Sequence, residues 1–353
     1  MAMTRMPDPG TEVTGGVDTH KDFHVAAAVD QLGKVLATAA FPARRSGYRQ
    51  LLDWLSSFGP VSRVGVEGTG AWGAGLCRYL TEAEVEVCEV VRPNRQHRRR
   101  YGKSDVTDAI AAARAVLSGE ASGRPRGGTG PVESIRLLKI ARRGAIRART
   151  AAANQIHAVI VTCPEEIRRP LRSLPIAKII GRVLGYRPGD PTDPAQAAKL
   201  TLQALAGRYQ TLTQEIGHLD SHLQTLVEQT APPQLLAMCG VGTQTAAELL
   251  ITTGTNPHRI NTETSFAALC GTSPVDASSR RQQRHRLNRG GDRQANAALY
   301  RIVIVRLRYH QPTRSYMQRR LQQGLTKPEI IRCLKRYVAR DIYNILTHPQ
   351  PAT

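Results

Sequence analysis

A chain of 353 residues exceeds the size at which one hydrophobic core usually stops growing, so two or three domains are expected. Apolar residues make up 41% and charged residues 22%, enough for a globular core, yet Lys and Arg number 49 against 28 Asp and Glu. The resulting net charge of +21, with an isoelectric point near 10.4, repels itself unless an anionic partner neutralises it, and the usual such partner is a phosphate backbone.

Only eight of the basic residues are Lys. Arg suits two-pronged contacts to phosphates and base edges, although GC-rich coding DNA would produce the same bias. The six cysteines, Cys77, Cys88, Cys163, Cys239, Cys270 and Cys333, are scattered without a C-x-x-C pair. That spacing predicts free thiols in a reducing cytosol rather than a zinc site or a disulfide framework. No stretch approaches the ~20 apolar residues of a membrane span, and the first 13 residues have no apolar signal-peptide core. The expectation is a soluble, cytoplasmic protein held on nucleic acid.

After a flexible tail at residues 1–12, Val13–Ala28 and Gly33–Phe41 read as strands with a turn near Asp30–Gly33. Arg44–Phe58 has helical spacing, with Tyr48, Leu51, Leu52 and Leu55 on one face. Val61–Glu67 reads as a short strand broken by Gly68-Thr69-Gly70. A helix over Trp72–Ala83, a strand over Val85–Val91 and an alanine-rich helix over Asp105–Leu117 follow. This alternation predicts an α/β domain over residues 13–120.

Gly119–Gly130 has the composition of a linker. Beyond it, Val132–Cys163 and Gln196–Gln229 read as long helices, separated by a Pro- and Gly-containing stretch at Arg169–Pro194. They predict a helical arm or antiparallel coiled-coil pair over residues 131–230. Pro232-Pro233 marks another boundary. The last domain, residues 231–348, reads as helical apart from a basic loop at Pro274–Asp292.

Four acids stand out. Asp18 lies within the first strand (GGVDTHKD), Glu67 ends a later one (RVGVEGTG), and Asp105 and Asp108 open a helix (KSDVTDA). Three residues apart on a helix, the two aspartates share a face. Singly, Asp105 could be a helix N-cap, Asp18 a partner of Lys21 and Glu67 a surface acid. Together they would repel one another unless they bound divalent metal. Mg²⁺ prefers oxygen ligands, and two such ions can align the attacking and leaving oxygens of a phosphodiester. The order of these acids along strand, strand and helix resembles that of ribonuclease-H-like nucleases such as the RuvC resolvases. His20 and Asp22 lie close to Asp18 and could share its side of an extended strand.

Two further segments bear on nucleic acid. Leu235–Leu250 resembles a helix-hairpin-helix, with Gly240-Val241-Gly242 as the hairpin and Thr243 starting a second helix whose N–H groups could bind phosphate; a plain helix–turn–helix packing unit is the alternative. In the basic loop, Ser278 and Ser279 precede Arg280, Arg281, Arg284, Arg286, Arg289 and Arg293. By themselves these serines read as phosphate-binding hydroxyls or as a nucleophile, and the arginines as phosphate clamps or a solvated face. Arg98, Arg99, Arg100 and Lys103 form another basic run ahead of the Asp105 helix.

Taken together, GVDTHKD, VGVEGTG, KSDVTDA, the GVG hairpin, CGTSPVDASS and RHRLNRGGDRQANAALY resemble the DEDD-type insertion-sequence transposases of the one-ten family, from about Val13 to Leu346. The resemblance implies a RuvC-like domain whose Asp18, Glu67, Asp105 and Asp108 bind Mg²⁺, as a two-metal site. It further implies a C-terminal transposase domain whose serine forms a transient 5′-phosphoserine link to DNA. The counterpart here is Ser279, or else Ser278. Arg280 stands where the family usually has glycine, and Ala297 or Ala298 where it often has a basic residue. Donor and target DNA, a structured bridge RNA that pairs with both, and assembly as dimers pairing into a tetramer are also implied. Two rival readings keep the charge but change the chemistry: a RuvC-like junction nuclease using water, and a non-catalytic nucleic-acid-binding remnant.

Overall fold

The first apolar run makes two strands rather than one. In the computed structural model, which describes residues 12–90, 104–276 and 285–347, β1 spans Val13–Thr19 and β2 spans Phe23–Val29. All of β1 is buried, and β2 is buried beyond Phe23, so neither shows the alternation that marks a half-exposed strand. Only the polar His20-Lys21-Asp22 between them signals the reversal, where the His20 N–H donates to the Phe23 carbonyl at 3.1 Å.

The chain forms two compact units, Met1–Gly128 with Thr253–Asn261, and Thr129–Thr252 with Thr262–Thr353. In the first, β3 (Val35–Pro42), β4 (Val61–Glu67) and β5 (Glu86–Val90) complete a sheet of order β3-β2-β1-β4-β5. The pairs β1–β2 and β2–β3 are antiparallel, whereas β1–β4 and β4–β5 are parallel. A mixed sheet of this order with helices packed on it is consistent with a RuvC-like fold.

Helices α1 (Arg45–Ser56) and α2 (Ala74–Glu82) bury Leu51, Leu55, Leu76 and Leu80 with Val13, Val17, Val64 and Val66 of the sheet. The other face is closed by α3, Asp105–Leu117. Its apolar face is mostly alanine, with Ala109, Ala112 and Ala113 buried, and the sheet beneath it carries Gly16 and Gly65 side by side. A Cβ on Gly16 would lie 2.2 Å from the Ala109 carbonyl oxygen, and one on Gly65 would lie 2.8 Å from that of Ala112. Small residues on both surfaces therefore let the helix backbone settle directly on the strands.

The glycine-rich stretch read as a linker is held in place. The Gly123 carbonyl accepts the Glu89 N–H of β5 at 2.7 Å, covering that strand's edge. Asn256, from the segment that returns to this unit, accepts from Gly127 N–H at 2.7 Å and donates to the Pro125 carbonyl at 3.0 Å.

In the second unit, α4 (Gly130–Thr162) and α7 (Pro194–Thr230) run antiparallel. Their contacts include Arg142 with Asp220 and Arg149 over the Tyr209 ring. At about 1.5 Å rise per residue each is roughly 50 Å long. Short helices α5 (Glu165–Arg168) and α6 (Ile176–Leu184) fold over their far end, where Ile156, Ile160, Leu171, Ile179, Val183 and Leu202 form a separate core. The expected Pro- and Gly-rich connection thus carries helix of its own.

The remainder comprises α8 (Pro233–Ala237), α9 (Thr243–Thr253), α10 (Glu263–Leu269), α11 (Arg293–Tyr309), α12 (Gln311–Gln322) and α13 (Lys327–Thr347). The basic loop is framed by two short antiparallel strands, β6 (Val275–Asp276) and β7 (His285–Arg286). Lys139 of α4 and Glu248 of α9 form a buried ion pair at 2.9 Å. Among the described residues, no helix is long and apolar enough to cross a membrane.

Candidate active site

Register decides which acids meet. Val17 of β1 pairs with Val66 of β4, so Asp18 and Glu67 follow on adjacent strands. Successive side chains alternate across a sheet. Asp18 therefore shares its face with Gly16, and Glu67 with Gly65, which is the face that α3 covers. The close seat of α3 on those glycines brings its first turn, with Asp105 and Asp108, toward the end of β1. Thr19 Oγ1 donates to the Glu67 carbonyl at 2.8 Å and ties the two strand ends together. Past Glu67, Thr69 Oγ1 donates to Glu89 Oε1 at 2.6 Å and anchors the turn.

Asp105 is not the N-cap of its helix. Ser104 fills that role, its Oγ accepting the Thr107 N–H at 3.1 Å, so the Asp105 carboxylate is left for other work. It lies with Asp18 around one atom: His20 Nε2 is 3.3 Å from Oδ2 of Asp18 and 3.3 Å from Oδ2 of Asp105. These are ion-pair distances without hydrogen-bond alignment to either oxygen, and Nε2 itself is closed off from solvent. Ligand atoms of Asp18, His20 and Asp105 all fall within 4.8 Å of one another, a spacing that could hold a metal ion. Asp108 is buried one turn along and acts on Asp18 electrostatically. Neither Asp108 nor Glu67 belongs to that close trio.

Burial raises the pKa of Asp18 above its ordinary value; His20 opposes the shift, while Asp108 and Asp105 add to it. A buried carboxylate that its neighbours hold toward neutrality is a place where a divalent cation is welcome, and hard oxygen donors suit Mg²⁺ or a similar ion. The residues fit such a metal.

Of the two neighbours left open beside Asp18, His20 joins the site and Asp22 does not. Asp22 falls in the exposed turn after β1, its carbonyl accepting the Ala43 N–H at 3.0 Å. The signal that would have found His20 is the polar triplet interrupting an otherwise apolar run. His24 pairs with Thr19 and so belongs to the opposite face, where it is fully buried and stacked on Tyr48 at 5.6 Å. Burial pushes its pKa down, leaving a neutral ring in the core.

In the second unit, Gly240 has φ +87° and a Cβ there would meet the Ile302 carbonyl at 2.8 Å, so the turn into α9 requires glycine. The Gly242 N–H donates to Thr245 Oγ1 at 2.9 Å, within the same turn that Thr243 begins. Arg286 is exposed on β7, and Arg289 and Arg293 line a cavity with Asn288, Gly290 and Asn296. Arg98, Arg99, Arg100, Lys103, Ser278, Ser279, Arg280, Arg281 and Arg284 lie outside the described residues.

A sheet with acids at the ends of β1 and β4, facing a helix that opens with two more, is a framework that suits a nuclease-like domain and divalent metal. Residues 15–163 match the DEDD family of IS110, described as transposase. Residues 233–318 match the family described as transposase IS116/IS110/IS902. The two spans together take in more than half of the chain, which therefore belongs to the IS110-family transposases, enzymes that cut and recombine DNA. Comparison with curated proteins returned no match.

Proposed function

We propose that this transposase exchanges DNA strands through a transient 5′-phosphoserine link, using Asp18, Glu67, Asp105 and Asp108 as its metal-binding acids and Ser279 as its nucleophile, with Ser278 as the alternative hydroxyl. The observation that carries the reading is the convergence of Asp18 and Asp105 on a single ring nitrogen, His20 Nε2. Carboxylates drawn from a strand and a distant helix gain nothing structurally from meeting, and the burial of Asp18 opposes it.

In this scheme residues 13–120 are the RuvC-like catalytic domain, residues 131–230 a helical arm through which copies assemble, and residues 231–348 the serine-bearing domain. Asp18 and Asp105 would hold Mg²⁺, and Glu67 and Asp108 would supply further oxygen ligands. When bound, a pair of such ions polarises the phosphodiester and stabilises charge on the leaving oxygen. Ser279 Oγ forms a bond to phosphorus as the bond from phosphorus to the DNA 3′-oxygen breaks. The proton lost by the serine is balanced by one gained by the departing 3′-oxygen, which leaves as a hydroxyl. A 3′-hydroxyl of the other DNA then attacks the phosphoserine, remaking a phosphodiester and restoring the serine.

Arg98, Arg99, Arg100, Lys103, Arg280, Arg281, Arg284, Arg286, Arg289 and Arg293 neutralise phosphates along the strands. Gly240, Gly242 and Thr243 add a backbone contact of the helix-hairpin-helix kind. A structured RNA that pairs with donor and target would supply sequence choice, and dimers pairing into a tetramer would bring the acids of one copy to the serine of another.

Adduct trapping tests the chemistry. Protein co-expressed with the RNA encoded beside its gene is incubated with Mg²⁺ and labelled donor and target DNA, denatured, and mapped by mass spectrometry. DNA attached to Ser279 or Ser278, and absent with chelator, is the expected result. Cut DNA without any adduct would replace this reading with hydrolysis by water.

A further inference from the structure

The polar features outside the acid site divide into charges that are neutralised and charges that are not. Lys139 belongs to the first kind: its Nζ lies 2.9 Å from Glu248 Oε1 and donates to Gln244 Oε1 at 2.8 Å. Lys335 of α13 belongs to the second. It is 7% exposed, its Nζ donates to Asn296 Oδ1 at 2.9 Å, and among the described residues no carboxylate pairs with it. Burial, together with Arg332, lowers its pKa, as expected of an ammonium held away from water without a counter-charge.

The neutral group that Lys335 holds, Asn296, lines the cavity of about 250 Å³ described above, together with Asn288, Arg289, Gly290 and Arg293. That is several times the roughly 30 Å³ of a water molecule, room for a phosphodiester group with its remaining hydration. Neither Arg289 nor Arg293 forms an ion pair among the described residues. The acid nearest in sequence, Asp292, is already engaged. Its Oδ1 accepts the N–H groups of Gln294 and Ala295, at 2.7 and 3.2 Å, and its Oδ2 accepts Thr252 Oγ1 at 2.8 Å.

The floor of the cavity is fixed as well. Asn296 Nδ2 donates to the carbonyls of Cys270 and Gly271 at 2.9 and 3.0 Å, which orients its oxygen toward Lys335. Gly291 has φ +80°, and a Cβ there would lie 2.6 Å from the Leu269 carbonyl, so the turn that leads Arg289 into α11 packs against the end of α10. A cleft with two guanidiniums at its rim that form no ion pair among the described residues, and an unneutralised ammonium behind an amide, has the chemistry of an anion site.

We infer that the cleft formed by Asn288, Arg289, Gly290, Arg293 and Asn296, backed by Lys335, seats a backbone phosphodiester of the DNA strand that the transposase cuts. The inference rests on the strand-exchange reading only for the identity of the anion. DNA is favoured because the cleft lies immediately past β7, on the return strand of the hairpin that frames the segment carrying Ser278 and Ser279. Arg289 and Arg293 grip the phosphate oxygens. Lys335 is a positioning residue that orients Asn296 and supplies long-range attraction.

The test is binding, which requires no cleavage and so succeeds or fails separately from the adduct experiment. Full-length wild-type protein, Arg293→Ala and Lys335→Met are titrated into a fluorescent DNA duplex, and in parallel into an RNA hairpin, across a range of KCl. Arg293→Ala should bind DNA about tenfold more weakly, the scale of one charge-assisted contact, and its log–log salt slope should fall by about one; Lys335→Met, which touches no phosphate, should weaken DNA binding by only about two- to threefold and leave the slope nearly unchanged. Lys335→Met should melt no lower than wild type, because methionine removes a buried charge that lacks an anionic partner. Unchanged DNA affinity and slope in Arg293→Ala would overturn the inference even if Lys335→Met failed to fold. So would a lowered melting temperature of Lys335→Met with intact DNA binding, or a loss confined to RNA.

Discussion

Two clusters of buried charge, one in each unit, are built in opposite ways. In the helical unit, Lys139 and Glu248 are buried to similar degrees and neutralise each other, and Gln244 links them to Asp220, which Arg142 grips in turn. In the sheet unit, Asp18 is buried beside Asp105 and Asp108, charges of its own sign, with a single histidine nitrogen between two of them. The first arrangement is closed, since every charge has its complement within the fold. The second is open: among the described residues, its acids face charges of their own sign around one histidine nitrogen. Glycine shows the same contrast. Gly16 and Gly65 let a helix lie on a sheet, whereas Gly144 and Gly217 sit in long helices with nothing near the place of a Cβ.

The largest expected effect comes from the open site. Asp18→Asn or Asp105→Asn should reduce DNA cleavage by roughly a hundred- to a thousandfold or more, the scale of losing one electrostatic stabiliser of the reacting phosphate. DNA binding should stay close to wild type, and recombination assays beside titrations separate the two. Undiminished recombination would remove Asp18 and Asp105 from the metal site.

Closing the comparison from the other side, Glu248→Gln strands the Lys139 ammonium in the core. A loss of about 3 kcal/mol in urea denaturation is expected, and the double change Lys139→Met with Glu248→Leu should recover much of it. If the single variant were neutral, the pair would not be the closed network described here.

Gly16→Ala places a Cβ where the Ala109 carbonyl stands. Lifting α3 from the sheet should cost about 1–3 kcal/mol and weaken cleavage as well, because Asp105 rides on that helix. In contrast, Gly217→Ala, in an exposed stretch of α7, should stabilise the protein by about 0.5–1 kcal/mol, read from the same denaturation curves. Opposite signs for the same substitution are what distinguish a packing glycine from an idle one.

A smaller effect follows from titration. The folded chain holds the Asp18 proton to higher pH than the unfolded chain does. Between those two pKa values the native state binds more protons, so stability declines as pH rises through that window. With metal chelated, Asp18→Asn should consequently melt higher than wild type at neutral pH. A lower melting temperature would mean that Asp18 is stabilised by partners rather than strained by them.

Much of the fold was legible along the chain because hydrophobic periodicity is local. The long helices at Gly130–Thr162 and Pro194–Thr230 fall within two residues of their expected ends, and β4 and α3 match their expected spans. Val13–Ala28 was misleading for a physical reason: strands buried on both faces lose their alternation, so a hairpin reads as one apolar run. The stretch Gly119–Gly130 misled for another. Composition reports conformational freedom but not the partners, here Glu89 and Asn256, that remove it.

The sequence alone determined the polyanion partner, through net charge, and the identity and order of the acids. It also carried the family's motifs, because these are properties of residues and their separation. Tertiary structure decided which side chains meet. Strand register put Asp18 on the face of α3, and two glycines let that helix approach. The turn after β1 admitted His20 and excluded Asp22, and the packing of α13 set Lys335 behind Asn296. Such meetings join residues far apart in the chain, and they depend on backbone distances of a few ångströms that no local pattern encodes.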